Sequence, residues 1–336
     1  MSSDGRTRRP TIYSVADRAQ VSIATVSRVL RRPGEVRPAT RDKVLQVVEE
    51  LGYVPDGAAR SLAVKSHEAH GLVLPELGGP YYADLLTGYE QGAAEGGASV
   101  VVLLTDGKED VDLLVRRLAG RVDGIVLMGA VQVSSATVSS VRGKLPVLAL
   151  ANSHEESVES FATENVRSAQ ELTTHLLDVH GRRRLRFVGS PDTADDVEDR
   201  YAGFVAAHEA AGLEAAPPVA AIFREEEGPR VASLLLEGGL EADGLVCAND
   251  ELALAVMRHL LAAGVDVPGE VSITGWDDVM AARYVTPGLT TVSQPVRELG
   301  RQVAVRMRAL LEDRSSAPEQ HVLPTSPVIR QSCGCP

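Results

Sequence analysis

Aromatic side chains are scarce in this chain, with one Trp, four Phe and seven Tyr among 336 residues. Its core must therefore come from aliphatic side chains, and 44% hydrophobic residues suit a globular protein. No stretch approaches the roughly 20 uninterrupted apolar residues of a membrane span. Residues 1–10 are polar and basic, without the apolar run of a signal peptide. Cysteine is rarer still: Cys247 sits in an apolar run, and Cys333 and Cys335 lie in the tail. That is no disulfide framework. A lone C-G-C lacks the partners for a zinc site, and the eight histidines show no metal spacing. No metal and no cofactor is expected, and reduced thiols without a leader point to the cytoplasm. Catalytic motifs are missing too: there is no G-x-S-x-G, H-E-x-x-H, Walker loop, or G-x-G-x-x-G after the first strand. Asp277-Asp278 is an acid pair, but adjacent carboxylates on an extended chain point to opposite sides.

Acidic charge dominates, at −12 net, which by itself argues against a nucleic-acid partner. Its distribution reverses that. Residues 1–66 hold 12 Lys/Arg against 7 Asp/Glu, and the remainder 22 against 39. A basic head on an acidic body approaches DNA head first. At this length the chain predicts two or three domains, without internal repeats or low-complexity tracts.

Residues 11–62 organise the rest. Two short helical patterns, 14–19 and 23–31, are separated by Gln20-Val21-Ser22. Val15, Ala16 and Ala19 share one face of the first, and Val26, Val29 and Leu30 one face of the second. Ser22 is placed to cap the second helix. Two stripes joined so tightly can bury each other only by crossing steeply, as in a helix-turn-helix. The second helix keeps an outward face of Ile23, Ala24, Thr25, Ser27 and Arg28, with Ser22 at its start. Short side chains and one guanidinium fit a major groove, although such a face alone also fits an ordinary surface helix. A third helix starts near Pro38, buries Val44, Val47, Val48 and Leu51, and stops at Gly52; Tyr53 and Val54 are expected to seal the small core. Arg6, Arg8 and Arg9 read as a phosphate-attracting arm.

The run V-A-D-R-A-Q-V-S-I-A-T-V-S-R-V-L, then T-R-D-K-V and L-G-Y-V-P-D-G-A-A-R-S-L-A, resembles the head of LacI/GalR-type bacterial transcription repressors. The resemblance implies that Ile23, Ala24 and Arg28 read base edges. It also implies a hinge helix over 56–64, whose A-A-R-S-L carries Arg60 and a minor-groove wedge, Leu62. Two turns are too short to persist as an isolated helix, so this segment is expected to fold on DNA beside its copy from a second subunit. Gln20, Arg31 and Asp56 depart from the family pattern.

Beyond Lys65 apolar runs of strand length (71–74, 99–104, 124–128, 146–150, 185–188, 244–247, 271–274) alternate with helical periods (83–95, 110–119, 168–179, 200–211, 229–236, 251–263). That alternation predicts parallel sheets covered on both faces. The strand count predicts two lobes, with a crossover at 160–165, a return at 289–294, and a late helix over 296–311 on the first lobe. The expected division is a helix-turn-helix head at 1–55, a hinge at 56–66, and a body at 67–336. Its first lobe takes 67–163 with 292–322, and its second 164–291 with 323–336. Each lobe is read as a parallel sheet flanked by helices. V-D-G-I, E-D-R-Y-A-G-F, A-N-D-E-L-A-L, W-D-D and L-T-T-V-S-Q-P resemble, in order, the periplasmic-binding-protein fold of the same regulators.

In such sheets ligands bind beyond the strands' carboxyl ends. The loops there carry Tyr81, Tyr82, Arg200, Asn249, Trp276 and Asp277, flat rings and forked polar groups of the kind polyols need. The resemblance implies effector contacts for Arg200, Asn249 and Asp277, with Tyr81 and Tyr82 in its aromatic positions. Asp250 fits a helix N-cap, Asp278 a turn, and Trp276 either a core or a pocket wall. Glu225-Glu226-Glu227 reads as a solvated loop. Glu164-Asn165 and Arg167 depart from the pattern, and a cation at 167 near the cleft favours an effector with an acidic group. The whole predicts a homodimeric, sugar-responsive repressor on a pseudo-palindromic double-stranded operator, without a membrane partner. The first-lobe helix over 83–95 is expected at the dimer surface, and no tail heptad follows Leu323 to build a tetramer. The rivals are a solute-binding transport protein, which would need an export signal and no helix-turn-helix, and an α/β enzyme.

Overall fold

The structure, a computed structural model, describes residues 10–31, 33–54, 66–151 and 158–336. The expected hinge at 56–64, with Asp56, Arg60 and Leu62, lies outside the described residues, as does the side chain of Arg31. Contacts divide the chain into two units, residues 1–67 and 68–336.

The first unit is built on α1 (Ile12–Ala19), α2 (Ile23–Arg31) and α3 (Pro38–Leu51). Thr11 and Ser14 cap α1 reciprocally: each side-chain oxygen accepts the other residue's backbone N–H, at 2.8 and 3.3 Å. Ser22 Oγ accepts the Thr25 N–H at 3.1 Å, so α2 starts on a hydroxyl cap. The turn between them closes with the Val21 N–H on Ala16 O at 3.0 Å, and Gln20 takes a left-handed φ of 52°. Val15, Ala16, Ala19, Val26, Val29, Val44 and Val47 form the core. Tyr53 packs against it, but Val54, expected beside it, is 81% exposed. Gly52 ends α3 in the left-handed region (φ 59°) and redirects the chain. Successive side chains then alternate, so only one of the pair can turn inward.

The second unit opens with β1 (Ala69–Leu74), α4 (Gly79–Glu95), β2 (Ser99–Leu104), α5 (Val111–Leu118), β3 (Gly124–Met128), α6 (Ser135–Arg142), β4 (Val147–Leu150) and β5 (Glu159–Thr163). Then come α7 (Val166–Asp178), β6 (Leu185–Val188), α8 (Asp195–Ala210), α9 (Gly228–Glu237), β7 (Gly244–Cys247), α10 (Asp250–Ala262) and β8 (Ser272–Thr274). The rest is α11 (Met280–Tyr284), β9 (Thr291–Ser293), α12 (Val296–Glu312), β10 (Gln320–Leu323) and β11 (Ser326–Val328). One all-parallel sheet runs β10-β5-β4-β3-β1-β2, and a second, also parallel, runs β6-β7-β8. The segment expected as a plain crossover at 160–165 is mostly β5, paired with β4 and β10 in the first sheet. Only Glu164-Asn165 crosses, and Glu164 caps α7 by accepting the Arg167 and Ser168 N–H groups at 2.6 and 3.0 Å. The chain returns at β9 and crosses again before β11, which pairs antiparallel with β9.

On the first lobe α12 lies directly on α4. Added Cβ atoms on Gly88 and Gly92 would sit 1.8 and 2.8 Å from the Arg297 and Arg301 carbonyl oxygens, and one on Gly300 2.4 Å from that of Leu85. Backbones touch there without side chains between them. Arg297 adds an ion pair to Asp84 at 2.6 Å. Near the far end Arg306 holds the buried Glu159 of β5 through two bonds at 2.6 and 3.0 Å.

The strain at Gln20 is testable. Glycine occupies the left-handed region without a Cβ penalty, partly offset by its freer unfolded chain. Gln20→Gly is expected to stabilise the head by about 0.5–1 kcal/mol, slowing hydrogen exchange at Val15, Ala16 and Ala19 about 2- to 5-fold. Faster exchange would show that Gln20 makes a contact worth more than the strain.

Candidate functional site

On the head, burial of Val26 and Val29 turns Ile23, Ala24 and Arg28 outward as exposed side chains, with Thr25 and Ser27 half-buried at the margins. Ser22 is exposed and committed to the cap, its hydroxyl 2.9 Å from that of Thr25. This face holds no acidic side chain among residues 22–28, so nothing on it repels phosphate.

In the body, the strand ends of the two lobes meet across a cleft lined by Tyr81, Tyr82, Arg200, Asn249 and Asp277, together with Glu76, Asp196, Phe223 and Glu251. Arg200 is its centre. Its Nε donates to Asn165 Oδ1 at 2.9 Å, one terminal nitrogen to the Ala248 carbonyl at 2.7 Å and the other to Asp196 at 2.9 Å. The guanidinium lies 4.7 Å over the Trp276 ring. A charge 5% exposed is tolerable only with such a full set of partners. Trp276, expected as a possible pocket wall, is instead core. It is 2% exposed, packed with Ala169, Leu172 and Val292, and it supports Arg200 from behind.

Asn249 caps α10, accepting the Leu252 N–H at 3.1 Å while its amide donates to the Phe223 carbonyl at 3.0 Å. The expectation that Asp250 is the cap is therefore corrected. Asp250 is wholly buried inside the first turn, taking the Thr291 hydroxyl at 2.6 Å and the Val279 N–H at 2.9 Å. Asp277 and Asp278 both sit at positive φ, 115° and 54°, and they diverge as neighbouring carboxylates should. Asp277 faces the cleft and accepts from Gln294, whereas Asp278 pairs with Arg283 and Arg330. Gln294 in turn accepts from Thr163 at 2.5 Å, which links the pocket to the crossovers.

Burial pushes the Asp277 carboxyl up to about 7, against the pull of Arg200 and the Gln294 hydrogen bond. Asp250 lies well above the usual range, first through burial and then through the charge of Asp277. Burial also raises Glu251 and the Tyr81 hydroxyl. The cleft holds four carboxyls against one guanidinium. Arg167, expected near it, is exposed on α7 and pairs with Glu171 at 3.7 Å. An acidic effector is thus disfavoured, because the cation proposed to attract it faces solvent.

The cavity among these groups is about 40 Å³, room for a few waters. Tyr81 and Asp277 also line an adjoining interlobe groove of about 500 Å³, between Pro80–Asp84 and Asp277–Arg283. At the mouth Arg224 of the second lobe bridges Glu76 (3.1 Å) and Asp106 of the first. The triplet expected to be a solvated loop forms a short 3-10 turn beside it, Glu225–Glu227, with Glu227 paired to Arg230. Arg224, Asp196 and Gln294 were not singled out from sequence. Asp196, four residues before Arg200 on one helix, was legible by spacing; Arg224 has no local signal.

The family model described as "Bacterial regulatory proteins, lacI family" matches residues 11–56, and that described as "Periplasmic binding protein-like domain" matches 173–333. The chain is 32% identical to the ribose operon repressor of Halalkalibacterium halodurans over 96% of both chains. It is 31% identical to the HTH-type transcriptional regulator CelR of Thermobifida fusca, over 97% of this chain and 99% of the relative. Among solved structures, the lac repressor dimer bound to operator and the anti-inducer ONPF matches with a TM-score of 0.84 at 25% identity, covering 97% and 99% of the two chains. A CelR–cellobiose complex matches with a TM-score of 0.72 at 28% identity, covering 96% and 100%.

The Asp277 shift carries a sign. Its folded value is raised, so the folded body holds a proton that the unfolded chain releases. The resulting stability is complete below about 3.8 and is lost as pH rises through about 7. Asp277→Asn is expected to remove a slope of up to about 1.4 kcal/mol per pH unit from that window. Thermal melts of both proteins from pH 5 to 8 read it, and parallel curves would place the carboxyl in solvent.

Proposed function

The chain belongs to the lacI family of bacterial regulatory proteins, and from that premise we propose how its parts divide the work. It is a ligand-responsive, sequence-specific DNA-binding transcription regulator and not an enzyme. Acting in the cytoplasm as a homodimeric repressor, it presents α2 of each head to a major-groove half-site. Arg28 donates to guanine, and Ile23 and Ala24 meet thymine methyls. The hinge residues Arg60 and Leu62 meet their copies at the operator dyad, where Leu62 opens the central step at a cost of a few kcal/mol. The observation carrying this reading is the capped α2, whose buried valines turn Ile23, Ala24 and Arg28 outward.

The effector is a neutral polyol of the sugar class, bound in the interlobe cleft. Arg200 and Asn249 meet its hydroxyls, Asp277 accepts from them, and Tyr81 and Tyr82 face its ring. The acidic lining supports neutrality. Solved relatives of similar fold include a regulator carrying cellobiose and one carrying ribose. Entry from the 500 Å³ groove displaces Tyr81 and Asp277 from their closed positions. Because Asp277, Gln294 and Thr163 are hydrogen-bonded in series, occupancy reaches the crossovers. A coupling of about 1–3 kcal/mol then changes operator affinity roughly 5- to 150-fold.

Arg28→Ala is expected to cost about 1–3 kcal/mol at one base pair per half-site while leaving salt-dependent nonspecific binding. Binding to a library of operator variants measures it, and uniform weakening across sequences would remove the base-reading role. Asp277→Asn is expected to spare operator binding and abolish release by mono- and disaccharides, read by gel shift; release at unchanged concentration would move the pocket elsewhere.

A further inference from the structure

The C-terminal tail and the end of α7 bring together four side chains that neither DNA reading nor effector binding uses. His175 lies in the last turn of α7, and His180 follows where the chain reverses through Gly181 (φ 65°) and returns the Arg182 N–H to Leu176 O at 3.1 Å. Their Nε2 atoms are 3.2 Å apart. The tail carries Cys333 and Cys335 to the same point, their sulfurs each 3.6 Å from His175 Nε2, and that of Cys335 3.5 Å from His180 Nε2. All four donor atoms lie within 4.8 Å of one another.

These separations are the edges of a tetrahedron of a particular size. A zinc ion with Zn–N of about 2.0–2.1 Å and Zn–S of about 2.3 Å sets N–N edges near 3.4 Å and N–S edges near 3.6 Å. The N–N contact and three of the four N–S contacts lie close to these lengths. Cys-Gly-Cys is needed for it: Gly334 has φ 115°, and a Cβ there would stand 2.8 Å from His180 Nδ1, so another residue would push the tail off the imidazole pair. The tail is also fixed upstream. Ser332 Oγ takes the Thr290 N–H at 2.8 Å, the Ser332 N–H reaches Gly288 O at 2.9 Å, and Arg330 donates to Leu289 O at 2.8 Å. Two imidazoles sharing one hydrogen would account for the 3.2 Å contact but not for two sulfurs converging on the same nitrogen.

We propose that His175, His180, Cys333 and Cys335 form a closed structural site for a zinc-class divalent cation that staples the tail to α7 of the second lobe. The proposal departs from the expectation, drawn from the isolated C-G-C and the histidine spacing, that the chain has no metal site. The two halves of the site stand more than 150 residues apart in sequence, which hides them from any local motif. The site is independent of the effector cleft, and its failure would leave the regulatory reading untouched.

The full-length chain, reduced and stripped with a chelator, is titrated with Co²⁺ and then Zn²⁺. One cobalt per chain is expected, with thiolate charge-transfer bands and the strong visible bands of tetrahedral cobalt, bleached by zinc. Zinc should raise the melting temperature of the body. Cys335→Ser and His180→Asn, both at partly exposed positions, should each lose the tetrahedral spectrum and about 10- to 100-fold or more in zinc affinity while keeping the metal-free fold by circular dichroism. The proposal is overturned by cobalt bound without thiolate bands, by affinity unchanged in Cys335→Ser, by no stoichiometric binding of either metal, or by a Cys333–Cys335 disulfide that survives reductant.

Discussion

A single buried guanidinium holds the body together at its most consequential point. Arg200 rises from α8, lies on the Trp276 ring, and bonds to the crossover residue Asn165, the end of β7 at Ala248, and Asp196 on its own helix. Removing such a charge from water costs several kcal/mol unless every direction is answered, and here each partner comes from a different segment. That requirement fixes the relative positions of α8, the β7 loop and the first crossover before any ligand arrives. It also leaves Asp277 beside a cation whose field only partly offsets burial, which is why its carboxyl ends near neutrality instead of fully charged.

The same logic extends outward. Thr163, Gln294 and Asp277 form a hydrogen-bonded line between two of the three crossing strands and the cleft, and Thr325 on the third bonds to the Glu164 carbonyl at 2.7 Å. At the opposite rim Arg224 joins the lobes through two carboxylates. Such a half-exposed pair contributes little to stability. It is an easily broken clasp, while the inner network is costly to disturb.

Much of this was readable from sequence because it rests on periodicity. The three head helices, the stripe of Val15, Val26 and Val44, and the strand runs of β1 to β4 and β6 to β8 follow from the pattern of apolar residues and from caps such as Ser22 and Gly52. Legibility failed where a residue's role depends on distant chain. Trp276 fits either a core or a pocket wall by sequence, and only its burial beneath Arg200 makes it a support. Asp250 looked like a cap because it is a good one, but Asn249 one position earlier took the role and left Asp250 to Thr291. Strand β5 (Glu159–Thr163) lacks a strong apolar run, and its buried, polar Glu159 is tolerated because Arg306 and His321, more than 140 residues away, answer it. Arg224 and the His175–Cys335 cluster belong to the same class, visible only once the chain has folded.

The glycine seam between α4 and α12 has a further meaning. Helices separated by side chains can absorb a small displacement through rotamer changes, as bearings with play in them. Here carbonyls rest directly against Gly88, Gly92 and Gly300, so the slack is gone. Because α12 begins three residues after β9, a shift of that crossing strand moves α4 as one stiff beam. Substituting any of these glycines would not merely loosen the first lobe; it would disconnect the gear from its shaft.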